Sequence, residues 1–309
     1  MKEFIINKND AGQRLDKFIE KATVGMPKSL IYKSIRTKKI KVNRKRAEAN
    51  YVLQQGDIVL LFLKEEFFAF SDPDAYFLTL TPKVDIVHED DDLLLVNKPM
   101  GVSCIPDERE DRDTLINHIK AYLYRKGEYD PESENSFAPA LCNRIDRNTC
   151  GIVIAAKNAE TLRKINDDIK FRRIDKKYLC IVHGIPKPGS SIIEGYLIKD
   201  SKTNTVKVYD TKPSKGDAKS IKTGYKVLRI KNSLSLVEVV LYTGRTHQIR
   251  AHMAHIGHPL LGDGKYGINK EDKKLGYKYQ ALCSYSTTID GREYRIDTED
   301  IWFVKEFNK

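Results

Sequence analysis

The sequence predicts an α+β protein in two parts. A small basic α/β module is expected over residues 1–64, a linker over 65–83, and a larger domain over 84–309 built on a mostly antiparallel sheet with flanking helices. Three observations predict this. Apolar runs of strand length recur from Leu93 onward, separated by turn residues, with few helical stretches between them. The first sixty residues differ, pairing two helical patterns with short alternating runs. That same stretch concentrates lysine and arginine, with no acidic residue between Lys28 and Arg46.

In the N-terminal module, Leu15, Phe18 and Ile19 share one face of a helix that opens at Gly12 and is broken by Pro27. Ser29 is placed to cap a second helix over residues 30–37. Residues 38–43 alternate as a short strand, 43–45 and 54–57 read as turns, and 58–62 as a further strand. The linker holds acids and prolines, yet Phe67, Phe68, Phe70, Tyr76 and Phe77 imply that part of it packs. In the larger domain, strands are expected at 93–96, 152–156, 178–182, 226–230 and 234–241. Thr114 and Asn158 are placed to cap two helices, the first carrying Leu115, Ile116, Ile119 and Leu123, the second Leu162, Ile165 and Ile169. Residues 127–137 and 199–217 read as polar excursions.

Composition narrows the function. The formal net charge of +11 points to a polyanionic partner, since neutralising phosphates releases counterions. Lys28, Lys33, Arg36, Lys38, Lys39, Lys41, Arg44, Lys45 and Arg46 would form one positive face suited to RNA backbone. A merely solvated face is the alternative, but uncompensated like charge is costly. The five cysteines, Cys104, Cys142, Cys150, Cys180 and Cys283, are scattered without a C-x-x-C pair, which argues against a disulfide framework or zinc ribbon. The N-terminus lacks the apolar core of a signal peptide, and the longest apolar run, 58–63, is too short to span a bilayer. A cytoplasmic monomer with no membrane partner is expected.

The chemistry concentrates in four blocks. In Asn143-Arg144-Ile145-Asp146-Arg147-Asn148-Thr149-Cys150-Gly151, one carboxylate sits among guanidinium groups, just before an apolar strand. Nearby positive charge favours the charged form of a carboxylate, which can then serve as nucleophile or base. In isolation such a triplet is better read as a surface ion pair. Three further blocks change that reading. They are Leu93 to Val102 with its Asn97-Lys98-Pro99 centre, Lys177-Tyr178, and Gly244-Arg245-Thr246-His247-Gln248-Ile249-Arg250.

In this order the blocks resemble the pseudouridine synthases of the RluA family, over roughly residues 84 to 290. The N-terminal module resembles an S4 RNA-binding domain. The chain departs from the family's usual motif at Asn143 (usually His), Ile145 (usually Leu) and Cys150 (usually Ser). The resemblance implies Asp146 as the catalytic carboxylate and Arg245 as its partner. It implies that Tyr178 lies in the active site, where a phenol can stack on uracil and assist a proton transfer. Arg144 would help fill the gap left by a displaced uridine. Lys28, Lys33, Arg36, Lys38, Arg44 and Lys45 would bind RNA. The implied reaction is isomerisation of uridine in structured RNA, ribosomal RNA of the large subunit before transfer RNA, with no cofactor and no metal.

Two patterns compete with this reading. Residues 262–267 match G-x-G-x-x-G, but Pro259 precedes them and a polar run follows, so the strand–turn–helix context of a dinucleotide site fails. In the family this stretch is a loop near the active-site cleft. His247, His252, His255 and His258 suggest metal binding, but no Cys or Glu nearby completes a tetrahedral set. The functional alternatives are a non-catalytic RNA-binding factor and a metal-dependent hydrolase.

Overall fold

The structure, a computed structural model, describes residues 1–68, 72–106, 112–200 and 202–309. It divides into two compact units. The first gathers residues 1–83 with 116–140 and 156–164. Strand β1 (Lys2–Ile5), helices α1 (Leu15–Ala22) and α2 (Lys28–Arg36), and strands β2 (Ile40–Val42) and β3 (Ile58–Leu61) follow one another there. The strands form an antiparallel sheet in the order β1-β3-β2. Leu15, Phe18 and Ile19 are fully buried against Ile31, Ile40 and Val59, as their helical spacing requires. Burying each such side chain contributes about 1.5–3 kcal/mol. Helix α2 starts two residues earlier than expected. Pro27 is its extended N-cap residue, so Ser29 lies inside the helix and is not the cap. Asn43 and Arg44 both adopt left-handed backbone conformations, which makes the turn between β2 and the chain that follows.

The expected linker packs, as its aromatic residues imply. Phe67 and Phe68 pack on the module's core, and Phe77 is buried against Tyr124 and Tyr129 at ring-centroid distances of 6.1 and 5.7 Å. Phe70 lies outside the described residues. The polar excursion at 127–137 is held as well. Glu134, Asn135 and Ser136 bond the side chains of Asn9 and Asp10 at 2.6 Å each. The two units therefore part at residue 84, and the first takes in residues 65–83 together with 116–140 and 156–164.

The second unit takes residues 84–115, 141–155 and 165–309. Its sheet is built from β4 (Ile86–Glu89), β5 (Leu93–Lys98), β6 (Ala140–Leu141), β7 (Cys150–Ala156), β8 (Asp175–His183), β9 (Ser190–Asp200), β10 (Thr205–Tyr209), β11 (Lys219–Lys231), β12 (Leu234–Leu241), β13 (Leu282–Ile289) and β14 (Arg292–Arg295). The order is β10-β9-β11-β12-β8-β13-β7-β5-β4, with β14 beside β13 and β6 beside β7. β4 with β5, and the pairs β10-β9, β9-β11, β11-β12, β12-β8, β8-β13 and β13-β14, are antiparallel, whereas β13 with β7 is parallel. Helix α3 (Leu115–Lys126) falls in the first unit from residue 116 on and α4 (Ala159–Lys170) in the first up to residue 164, whereas α5 (Gln248–His255), α6 (Asn269–Lys274) and α7 (Trp302–Asn308) belong to the second. Asn158 caps α4, its Oδ1 accepting from the Thr161 amide at 2.9 Å. Thr114 precedes α3, but its buried hydroxyl has no partner among the described residues.

The 199–217 excursion is instead largely a hairpin, made of the end of β9 together with β10. The Gly151 of the Asp146 motif is required by the sheet. Its φ is +114°, and a Cβ there would lie 2.3 Å from the Ser284 carbonyl oxygen of β13. Among the described residues no helix is long and apolar enough to cross a membrane.

Candidate active site

The turn that carries Asp146 is clamped at its backbone. The Lys98 ammonium is fully buried and donates to the carbonyls of Pro99 (2.8 Å), Val102 (2.8 Å) and Arg147 (2.9 Å). The Gly101 amide donates to the Arg147 carbonyl, and Arg147 Nε returns a bond to the Gly101 carbonyl. Cys104 Sγ donates to the Ile145 carbonyl at 3.4 Å, and the Thr149 amide to that of Asp146 at 3.0 Å. Asn143, the departure from the usual His, accepts the Ile154 amide on Oδ1 at 2.8 Å and so ties the turn to β7.

Lys98 is visible in the sequence only as part of a motif. Burial lowers its pKa to about 8. Folding thus weakens its hold on a proton, and between about 8 and 10.5 the unfolded chain keeps more protons on this residue than the folded one. Lys98→Met should strand three carbonyls and destabilise the fold by about 2–3 kcal/mol near neutral pH. The sign of the linkage then makes the deficit of Lys98→Met relative to the wild type constant below pH about 8 and larger as pH rises through that window. Urea unfolding of both proteins across pH measures it. A deficit that shrinks with rising pH contradicts the assignment.

The guanidinium that meets Asp146 is not Arg245. Arg250 Nη1 donates to Asp146 Oδ2 at 2.7 Å, while Nε and Nη2 make a two-bond fork to Asp263 at 2.7 and 2.8 Å. Burial opposes the Arg250 charge, but the bonds and charge of Asp263, then the charge of Asp146, outweigh it and raise its pKa. The reason for the exchange of arginines is local. Residues 245–248 make a turn closed by the Gln248 amide donating to the Arg245 carbonyl, and α5 begins only at Gln248. Arg250, in the first turn of α5, is buried, whereas Arg245 sits exposed in the preceding turn. Gln248 fixes that turn. Its Oε1 accepts from Thr243 Oγ1 and the Arg245 amide, and its Nε2 donates to the Lys222 carbonyl and Thr223 Oγ1.

Asp263 comes from the glycine-rich stretch 262–267. Gly262 has φ +76°, and a Cβ there would lie 2.2 Å from the Tyr279 carbonyl oxygen, so the glycine serves a tight loop. That loop turns Asp263 fully inward, where it also accepts the amides of Lys265 and Tyr266. The Tyr266 ring lies 5.3 Å from the Arg250 guanidinium carbon. Sequence reasoning identifies neither Asp263 nor Tyr266. The resemblance places the loop near the cleft but gives none of its residues a role.

Asp146, Arg144, Arg147, Tyr178, Arg245, His247 and Arg250 all line one open cavity of about 930 Å³, with Lys170, Arg172 and Tyr242 also in its wall. The charge of that wall is mainly positive, and Arg250 meets Asp146 within it. Tyr178 on β8 is buried, and burial, then the charge of Asp146, pushes its phenol up to about 12. At neutral pH it is therefore an apolar ring with an O–H to donate. Among the histidines, His252 meets Thr223 Oγ1 at 3.0 Å, His255 meets Asp210 at 2.8 Å, and His258 meets the His183 carbonyl at 2.9 Å. The structure therefore disperses the set that suggests a metal site.

In the N-terminal module, Lys33, Arg36 and Arg46 line a shallow concavity of about 400 Å³ with Tyr32 and Glu48. Lys38 and Arg44 occupy left-handed backbone positions on the exposed surface, with Lys45 beside them. Lys28 is partly neutralised by Glu20, 3.2 Å away, an acid that precedes the basic run.

A sequence model of the RNA pseudouridylate synthase family matches residues 92–255, and one of the S4 domain matches residues 13–59. The ribosomal large subunit pseudouridine synthase C of Buchnera aphidicola subsp. Acyrthosiphon pisum is 32% identical over 295 residues, which cover 92% of this chain and 87% of that protein. An uncharacterized RNA pseudouridine synthase of Mycoplasma capricolum is 34% identical over 284 residues, covering 90% and 89%. In fold, the chain is similar to human RNA pseudouridylate synthase domain containing 4, with a TM-score of 0.56 at 22% identity over 69% of this chain and 88% of that one.

Proposed function

Because the chain belongs to the RNA pseudouridylate synthase family, we propose that it isomerises uridines of large-subunit ribosomal RNA through Asp146. The observation that carries this reading is the Asp146 carboxylate, held at one oxygen by Arg250 in a basic cavity open to a nucleotide. In the reaction the N1–C1′ bond breaks, the uracil turns, C5 joins C1′, the C5 proton is lost to solvent, and N1 takes up a proton in its place. The product is an isomer of the starting nucleotide with no change of oxidation state, so this account requires no cofactor. Asp146 supplies the carboxylate chemistry at the target nucleotide. Tyr178 offers a ring face to the uracil and a phenol kept protonated, a donor and not the base that takes the C5 proton. Arg144 and Arg245, exposed on the cavity wall, hold the RNA around the extruded base, whose unstacking costs a few kcal/mol.

The basic residues of the N-terminal module add backbone contacts and raise the effective concentration of RNA at the cavity. Lys33→Ala with Arg36→Ala should weaken RNA binding and reduce the slope of log affinity against log salt by about 0.7–0.9 for each phosphate no longer neutralised. Titrations over a range of KCl concentrations measure this. An unchanged slope would remove these two residues from the RNA face. The target class is tested by mapping pseudouridines in ribosomal and transfer RNA from cells with and without the gene. Loss of particular sites in large-subunit ribosomal RNA is expected, in the cytoplasm of a bacterial cell. Loss confined to transfer RNA would redirect the assignment.

A further inference from the structure

We propose that His247 is a positioning residue for the isomerisation, an imidazole fixed by Tyr266 in the Nε2–H tautomer and aimed at the Oδ2 edge of Asp146. The inference rests on Asp146 being the reacting carboxylate. Three observations on the structure carry it.

The tautomer follows from a directed chain of bonds. The Val206 amide donates to Tyr266 Oη at 2.8 Å. A phenol oxygen that accepts one bond still has its own hydrogen to place, and the His247 Nδ1 lies 3.0 Å away. With Nδ1 accepting, the ring proton sits on Nε2. That nitrogen is 3.8 Å from Asp146 Oδ2. The separation is too long for a hydrogen bond and short enough for a small ring movement to make one as a nucleotide enters. Burial lowers the imidazole pKa, and Arg250 and Lys265 reinforce this against the opposing charges of Asp146 and Asp263. A neutral ring with one N–H is the state that suits the chain.

The backbone supports the same reading. His247 has φ +54°, a left-handed conformation uncommon for non-glycine residues. It also occupies the N-cap position of α5, where a short polar side chain would ordinarily bond the helix amides. Here the side chain makes no such bond and faces the cavity instead.

The third observation concerns the two carboxylate oxygens. Oδ2 of Asp146 takes the Arg250 bond and is the oxygen faced by His247. That leaves Oδ1 as the oxygen that meets the nucleotide. Charge leaving Oδ1 as a bond forms and returning as it breaks is then balanced from the Oδ2 side by one fixed cation and one neutral donor.

The test uses the full-length protein and ribosomal RNA labelled with tritium at uridine C5, taken from cells lacking the gene. Asn at 247 tolerates the left-handed backbone but is too short to present an N–H to Asp146, whereas Gln extends an amide to about the reach of Nε2. His247→Asn should lower the single-turnover rate about tenfold or more with RNA affinity unchanged, and His247→Gln should restore most of it. Histidine ring nitrogen spectra should show Nε2–H at His247 in the wild type, and a mixed tautomer in Tyr266→Phe. An Asn variant as fast as wild type, a Gln variant no better than Asn, or an Nδ1–H ring in the wild type would each overturn the proposal. A wild-type protein that releases no tritium would instead count against the function itself.

Discussion

Asp146→Asn protein should form no detectable pseudouridine, with a single-turnover rate lower by at least about 10⁴-fold, the scale on which removal of a reacting group acts. The substitution keeps shape and removes charge. Arg250 retains its two bonds to Asp263, and the turn retains its clamps from Lys98, Gly101 and Asn143. The fold should therefore survive, and RNA affinity should stay within about twofold, because the phosphate contacts that dominate affinity lie elsewhere. Measuring rate and binding on the same preparation separates these claims. Loss of binding in parallel with rate would show that Asp146 holds RNA, and a near wild-type rate would remove it from the chemistry.

Arg250→Lys should lose about 10²-fold or more in single-turnover rate although it conserves charge. One planar guanidinium uses three nitrogens to join two carboxylates, and a lysine ammonium is a compact charge that cannot keep the Asp263 fork while reaching Asp146. The cost is double. Asp146 loses its orientation, a displacement of the size that costs about 10²-fold, and the fully buried Asp263 loses its bidentate partner, worth about 3–5 kcal/mol when broken. A melting-temperature decrease should accompany the rate loss. Arg245→Lys provides the contrast. Arg245 is exposed in the turn before α5, and the Asp146 bond belongs to Arg250, so a lysine at 245 should largely preserve the rate. A severe Arg245→Lys defect beside a mild Arg250→Lys one would reverse the assignment.

The contrast between those arginines shows what the sequence holds and what it does not. The basic run at 28–46 is written in adjacent residues, whereas Asp146 and Tyr178 stand out only through the resemblance of their motifs, and the structure sets both in the wall of one cavity. The Asp146–Arg250–Asp263 chain is not legible, because it joins positions 104 and 13 residues apart, and the order of the motif gives no sign that α5 starts after His247. Asp263 is hidden in a glycine-rich pattern whose dinucleotide reading fails and whose family placement names no residue. Helix α1 buries the expected Leu15, Phe18 and Ile19 but starts at Leu15 and not at Gly12, while β10 and the last two residues of β9 lie in the stretch expected to be a polar excursion. Along both strands more and less exposed positions alternate, and the exposed ones include Ser190, Glu194, Lys199, Asp200 and Lys207. The linker packs as its aromatic residues imply, but the partners of Phe77, Tyr124 and Tyr129, lie more than forty residues ahead, which local pattern does not reveal.

The central claim is that one carboxylate in this cavity moves the uracil of an RNA uridine from N1 to C5 attachment. Tritium release from C5-labelled large-subunit ribosomal RNA measures it most directly, because the C5 hydrogen leaves only when C5 bonds to C1′. Purified wild-type protein in EDTA with no added cofactor should release tritium in amounts matching the pseudouridine formed, and Asp146→Asn should release none. Release that requires a metal ion, or that persists in Asp146→Asn, would contradict the account.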